Sequence, residues 1–135
     1  RSASFIQSFA KIGLVPDSGG TWILPRLVGS ARALGLALLG EKVSAEQAEA
    51  WGLIWKCVDD ADLMPTVRTV AEQLAAGPTR GYARIKQALR AATGLSLEAA
   101  LDLERDFQRE LGRSHDYREG VAAFMEKRAP KFTGQ

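Results

Sequence analysis

The chain has 135 residues, 46% apolar and 25% charged, with a net charge of +2, an ordinary globular composition long enough for one compact domain with a modest core. Basic and acidic residues are interleaved, so so small a net charge argues against nucleic acid as a partner. The longest apolar stretches, such as Ala33 to Leu39, fall well short of the roughly 20 residues a membrane-spanning helix needs, and Arg1-Ser2-Ala3-Ser4 running into Phe5-Ile6 does not read as a secretory leader.

In chain order, the run from Phe5 to Leu14 reads as strand-like and is followed by a Gly-rich turn. Ser18-Gly19-Gly20-Thr21 leads into Trp22-Ile23-Leu24, where a helix is expected to begin. Pro25 should break that helix or open a new turn, because proline suits the first helical position and not the interior. Ser30 is the expected N-cap of a helix over Ala31 to Leu39, and Gly40 ends it. Ser44-Ala45-Glu46-Gln47 has capping-box spacing and starts a short helix that stops at Gly52. Leu53 to Val58 reads as a second strand. Asp59 or Asp60 then caps an amphipathic helix to about Ala76, and Gly77-Pro78 breaks it.

Beyond that break the chain reads as helix throughout. One helix is predicted from about Thr79 to Ala92 and another over Ser96 to Leu111, with Leu97, Leu101, Phe107 and Leu111 on one apolar stripe. The last helix is predicted to open at Asp116, with Glu119 completing a second capping box, and to run to about Arg128 before Ala129-Pro130. Residues 1–77 and 78–135 are therefore the expected domains. Two strands cannot make a useful sheet with so many helices, so the chain reads as the second half of a longer fold.

The residues that carry chemistry are few. Cys57 is the sole cysteine, so no internal disulfide can form and a reducing cytoplasm is the simplest compartment. Its place in the apolar run Leu53-Ile54-Trp55-Lys56-Cys57-Val58 predicts a buried strand thiol. His115, the sole histidine, falls in the polar loop Gly112-Arg113-Ser114-His115. A Ser-His-Asp triad or a multi-histidine metal site has no raw material, and no metal is expected.

That leaves the turn Pro16-Asp17-Ser18-Gly19-Gly20. A Gly-Gly pair at a junction into a helix lets backbone approach a ligand closely, beside free N–H groups and the positive end of the helix dipole. From pattern alone Asp17 has three readings: the N-cap of the helix, a solvated turn residue, or a catalytic carboxylate.

The surrounding sequence bears on that choice. Ile12-Gly13-Leu14-Val15-Pro16-Asp17-Ser18-Gly19-Gly20-Thr21, then Leu24-Pro25-Arg26-Leu27-Val28-Gly29, resembles the crotonase (enoyl-CoA hydratase/isomerase) superfamily. So do Gly40-Glu41-Lys42-Val43-Ser44-Ala45-Glu46-Gln47-Ala48, Trp51-Gly52-Leu53-Ile54 and the ending Glu119-Gly120-Val121-Ala122-Ala123-Phe124-Met125-Glu126-Lys127-Arg128. The resemblance covers the whole chain. It implies an α/β fold: the C-terminal half of a spiral of ββα units with a helical trimerisation region, helix-dominated over these residues. The family's oxyanion-hole donors and CoA-binding segments lie in the half that would precede Arg1.

The resemblance also implies roles. Hydratases carry a Gln-Pro-Glu stretch whose glutamate handles water. The matching stretch here is Gln7-Ser8-Phe9, and the phenyl ring of Phe9 cannot exchange a proton. An acid at Asp17 resembles the isomerase and dehalogenase branches, and most of all the branch that isomerises ring-epoxidised phenylacetyl-CoA. That likeness is carried by Gly13 to Trp22, by Gly35-Leu36-Ala37-Leu38-Leu39-Gly40, by Trp51 to Trp55 and by the segments Leu101 to Asp106 and Gly112 to Gly120. The implied chemistry is an enolate-like thioester oxygen held by two backbone N–H groups, with one carboxylate moving a proton between carbons. Such a carboxylate works best in an apolar pocket. Phe9, Trp22 and Ile23 are the candidate walls of that pocket, or plain core.

The implied reactions of Asp17 are rearrangement of the ring 1,2-epoxide to an oxepin and shifts of an enoyl-CoA double bond. The alternatives are an aspartate-dependent dehalogenase or thioester hydrolase, and a non-catalytic oligomerisation fragment. In related proteins a phenylalanine and a lysine of the penultimate helix reach a neighbouring subunit's CoA, and Phe124 and Lys127 match them, with core and solvated roles as the alternatives. Lys131 is a weaker candidate. The implied partners are the acyl-CoA substrate, which serves in place of a cofactor, the preceding half of the same protein, and sister subunits in a trimer or hexamer.

Overall fold

The computed structural model describes residues 1–135 and contains two packing units, Arg1–Pro65 and Thr66–Gln135. The division falls where the helix Leu63–Ala75 begins, not at the Gly77-Pro78 break where the sequence places a domain boundary. Gly77-Pro78 does end that helix, but a chain break and a packing boundary are different things. The helix itself is continuous, and the division lies in its first turn.

In the first unit, β1 (Ser4–Phe5) pairs antiparallel with β2 (Val43–Ser44), setting Ser4 opposite Ser44 and Phe5 opposite Val43. Two helices follow the Gly-rich turn, α1 (Gly20–Val28) and α2 (Ser30–Leu39), and a short α3 (Ala45–Ala50) follows β2. Leu24 and Val28 lie one turn apart on α1, and Ala33 and Leu36 share a face of α2. These four are buried together with Val43 and Ala48, and Phe5, Trp51, Leu53 and Ile54 pack against them. The turn at Asp17 leads directly into α1, which packs on α2.

Several expectations change here. The strand-like run after Phe5 ends at once, and Phe9–Ile12 is a single 3-10 turn. Leu53 to Val58 is not a strand. Its first amides are spent on the end of α3, with Leu53 and Ile54 N–H both donating to the Ala48 carbonyl at 2.9 and 3.3 Å. Cys57, expected in that strand, is therefore a half-buried thiol in irregular chain. Pro25 does not break α1 but lies inside it. Burial of Leu24 and Val28 on either side holds the helix through it, and the Arg26 guanidinium folds back to donate to the Trp22 carbonyl at 2.8 Å. The N-cap of α2 is Gly29, at φ 80°, with Ser30 as the first helical residue. Ser44 does cap α3, its hydroxyl accepting from Gln47 N–H at 3.2 Å, and Gly40 ends α2 in the left-handed conformation.

The second unit holds most of α4 (Leu63–Ala75), then α5 (Thr79–Ala92), α6 (Leu97–Leu111), α7 (His115–Glu126) and a tail. Ser96 caps α6, accepting from Ala99 N–H at 3.3 Å. Glu110 of α6 holds Arg80 and Arg84 of α5, each at 2.8 Å. The expected stripe on α6 is divided: Phe107 and Leu111 are half-buried, while Leu97 and Leu101 are exposed. The N-cap of α7 is Ser114, accepting from Tyr117 N–H at 3.0 Å, and not Asp116. His115 is accordingly the first residue of α7 and not part of a loop. No helix of the chain is long and apolar enough to cross a membrane.

Candidate active site

The turn that carries Asp17 is built by backbone alone. Gly20 N–H donates to the Asp17 carbonyl at 2.8 Å, closing a four-residue turn. Its two central residues, Ser18 at φ 51° and Gly19 at φ 83°, are both left-handed, the mirror image of the common turn. Glycine accepts that conformation freely; a serine does not, and such outliers concentrate at functional sites. Gly19 is the N-cap of α1, and no side chain caps the helix. The N-cap reading of Asp17 is thereby overturned. Its carboxylate is exposed and bonds to nothing else in the chain.

Beside this turn lies an apolar cleft of about 570 Å³, with Leu14, Val15, Pro16 and Gly20 on one side and Leu34 and Leu38 of α2 on the other. Pro16 and Gly20, the residues that flank the Asp17-Ser18-Gly19 bend, line it, whereas Asp17 itself does not. Among the expected pocket walls, Phe9 is half-buried in the 3-10 turn, and Trp22 and Ile23 are about half exposed. None of the three lines the cleft. Trp22 has one ring face covered by Arg26, whose guanidinium carbon is 3.8 Å from the ring centroid. Ile23 packs beneath the turn, its Cδ1 being 3.6 Å from the place a side chain on Gly19 would occupy.

Phe124 and Lys127 belong to the second unit, at the end of α7. Phe124 is 81% exposed and lines a cleft of about 440 Å³ together with Tyr117, Val121 and Phe132. Lys127 is exposed, terminates α7 in left-handed backbone at φ 54°, and has no ion-pair partner in the chain. Lys131 is exposed, with its amide N–H given to Glu119 at 2.7 Å.

Around that helix end lies a polar network the sequence did not disclose. Arg128 grips Glu119 through both Nη atoms, at 2.6 and 2.9 Å, and Glu126 through Nε at 2.6 Å. These bonds and the Lys131 amide bring the Glu119 carboxyl down to about 2. Asp116 is buried and accepts from the amides of Thr133 and Gly134 at 2.7 and 2.9 Å. The Thr133 amide is the main cause that holds its carboxyl below the ordinary value. Asp116 and Glu119 look like the two ends of a capping box in sequence; in the structure both are turned to the tail. Ser114, just upstream, was the available signal for the true cap.

The chain belongs to the enoyl-CoA hydratase/isomerase family, whose pattern matches residues 1–135. Among characterised relatives it is 58% identical over 135 residues to the 1,2-epoxyphenylacetyl-CoA isomerase of Escherichia coli K12, covering 100% of this chain and 52% of the relative. It is 53% identical over the same length to a Rhodobacter capsulatus protein named as a probable enoyl-CoA hydratase, again covering 52% of the relative. A crystal structure of a Mycobacterium abscessus protein named as a putative enoyl-CoA hydratase/isomerase superposes with a TM-score of 0.94 at 38% identity, over 98% of this chain and 51% of that one. The chain spans about half the length of the curated relatives it matches. Its architecture is accordingly that of about half a crotonase-type subunit, with helices in the majority, as the sequence resemblance implies.

Proposed function

We propose that the chain is part of an acyl-CoA isomerase in which Asp17 is the acid–base group and ring-1,2-epoxyphenylacetyl-CoA the substrate. The observation that carries this reading is a carboxylate left unused by its own helix, on a left-handed turn whose flanking residues Pro16 and Gly20 line an apolar cleft. Identity of 58% over the whole chain to an isomerase of that substrate supports the choice of thioester.

The chemistry asks for little else from these residues. Asp17 takes a proton from the carbon next to the thioester carbonyl, leaving an enolate-like oxygen for two backbone N–H donors outside this chain to hold. The same carboxyl then returns a proton to a ring carbon as the epoxide opens into the seven-membered ring. The product is an isomer of the substrate, so no water or oxidant is consumed. A double-bond shift in an enoyl-CoA uses the same two proton transfers. One positioned acid–base group contributes about 10²–10⁴-fold in rate, and an oxyanion donor a similar factor.

Phe124 and Lys127 are read as contacts to the CoA carrier: an exposed ring for a base and an unpaired ammonium for phosphate. Exposed Leu97, Leu101 and Met125 in the same unit support assembly with sister subunits. Hydration is the second reading, favoured by the 53% identical relative, and Phe9 weighs against it because a phenyl ring cannot activate water. The test is Asp17→Asn in the full-length protein, assayed for isomerisation of ring-epoxidised phenylacetyl-CoA and for hydration of crotonyl-CoA. Loss of isomerisation with the fold intact supports the assignment. Near-normal isomerase activity, or hydration as the main activity of the unaltered protein, overturns it. An acyl-enzyme trapped on Asp17 would instead favour the thioesterase or dehalogenase chemistry.

A further inference from the structure

Two non-glycine residues have left-handed backbone, Ser18 and Lys127. At Lys127 the conformation closes α7: Lys127 N–H donates to the Phe124 carbonyl at 3.3 Å and Arg128 N–H to the Ala123 carbonyl at 3.0 Å. A lysine gains nothing intrinsic from that backbone, so something must hold it. The holding group is one residue along. Arg128 is gripped by Glu119 through two parallel bonds and by Glu126 through a third, and Glu119 also takes the Lys131 amide. Glu119 is 16% exposed and Arg128 38% exposed, against 60% for Glu126, so the inner, forked pair is the anchor. A planar guanidinium held bidentately has far less freedom than an ammonium.

The same network sets the charge around Lys127. Glu119 and Glu126 are the two carboxylates engaged by Arg128 at this helix end, and both are committed to it. With Arg128 released, both carboxylates lose their guanidinium partner, and Glu126 is the residue next to Lys127 in the chain. While the clasp is closed, the Lys127 ammonium keeps its charge uncompensated by protein.

We infer that Glu119 is a positioning residue for acyl-CoA binding: by clasping Arg128 and the Lys131 amide it fixes Lys127 in left-handed backbone and keeps its ammonium free for the phosphates of the carrier. The inference rests on the proposed reading of Lys127 as a contact to CoA. It assigns Glu119 no contact with substrate and no share in the proton transfers.

The test is a double-mutant cycle in the full-length protein with Glu119→Gln, Lys127→Ala and the pair, using the same acyl group on CoA and on pantetheine, which lacks the nucleotide. Glu119→Gln is expected to raise KM for the CoA thioester roughly fivefold, the scale of one exposed charge contact, with kcat unchanged and the pantetheine thioester unaffected. In the Lys127→Ala background it should add nothing further. Trypsin should cleave after Lys131 faster in Glu119→Gln, reporting the opened clasp. If Lys127→Ala alone leaves KM unchanged, the CoA reading of Lys127 falls. If Lys127→Ala raises KM and Glu119→Gln does not, or raises it equally in both backgrounds, the positioning role falls by itself. Should Glu119→Gln fail to fold, Arg128→Lys keeps the charge, loses the fork and takes its place in the cycle.

Discussion

The turn at Asp17 and the end of α7 both place a non-glycine residue in left-handed backbone, yet they are held in different ways. Lys127 is secured by a forked arginine, two carboxylates and a tail amide. Ser18 has a single closing backbone bond, from Gly20 N–H to the Asp17 carbonyl, and rests on helices whose buried faces point elsewhere. At the end of α7 carboxylates are consumed by structure; at the turn a carboxylate is left over. A side chain that folding does not use is the better candidate for chemistry. The difference therefore sets a region whose carboxylates are engaged by the fold against one whose carboxylate is left free for the proposed chemistry.

The sharpest way to break that distinction is to neutralise the unused carboxylate. Asp17→Asn is expected to lower isomerase turnover by about 10²–10⁴-fold. The melting temperature should stay unchanged, because the carboxylate makes no bond within the chain. A variant that loses stability along with turnover would show that Asp17 belongs to the fold after all. The next effect probes the frame beneath the turn. Leu36 is buried between α1 and α2, and Leu36→Ala should cost about 2–5 kcal/mol in urea unfolding. The turn should loosen with it, whereas bonds within α7 should persist.

These regions also differ in how much the sequence disclosed. After Gly77-Pro78, α5 over Thr79–Ala92 and α6 were legible almost to the residue, since their signals are local caps and an apolar period, whereas the cap of α7 was placed at Asp116 and lies at Ser114. Leu53 to Val58 was misread because a strand is defined by its neighbour, and this chain supplies none for it. Pro25 was misread because burial of Leu24 and Val28 outweighs the loss of one amide. Asp17 was singled out by motif, but the left-handed Ser18 that frees its carboxylate from capping leaves no trace in composition or spacing. The clasp at Glu119 was hidden for a related reason. Capping-box spacing has one meaning in sequence and another once a tail folds back onto the helix.

A smaller effect separates backbone strain from crowding at the turn. A Cβ on Gly19 would lie 3.6 Å from Ile23 Cδ1, an ordinary contact, while φ is 83°. Gly19→Ala should therefore cost about 1–2 kcal/mol through conformation alone, and turnover should fall as Asp17 is displaced. Adding Ile23→Val to make room should not restore it. If it does, crowding and not φ governs the turn, and the resemblance to Lys127 is lost.

The mildest perturbation addresses the other region through pH. Folding lowers the Glu119 carboxyl from its ordinary 4.5 to about 2, chiefly through Arg128, then the Lys131 amide, with a smaller contribution from His115. Because the folded value is the lower one, the unfolded chain binds the proton first, and the clasp's contribution is complete above pH 4.5. It declines as pH falls below that and is gone once the folded value is passed. Followed by NMR, the Lys131 amide should hold its shift down to about pH 3 and then move with a midpoint near 2. In Arg128→Lys the midpoint should rise, because an ammonium replaces the fork with a single weaker contact. A midpoint near 4.5 in the unaltered protein would mean that Glu119 is solvated, and the end of α7 would then be held no better than the turn at Asp17.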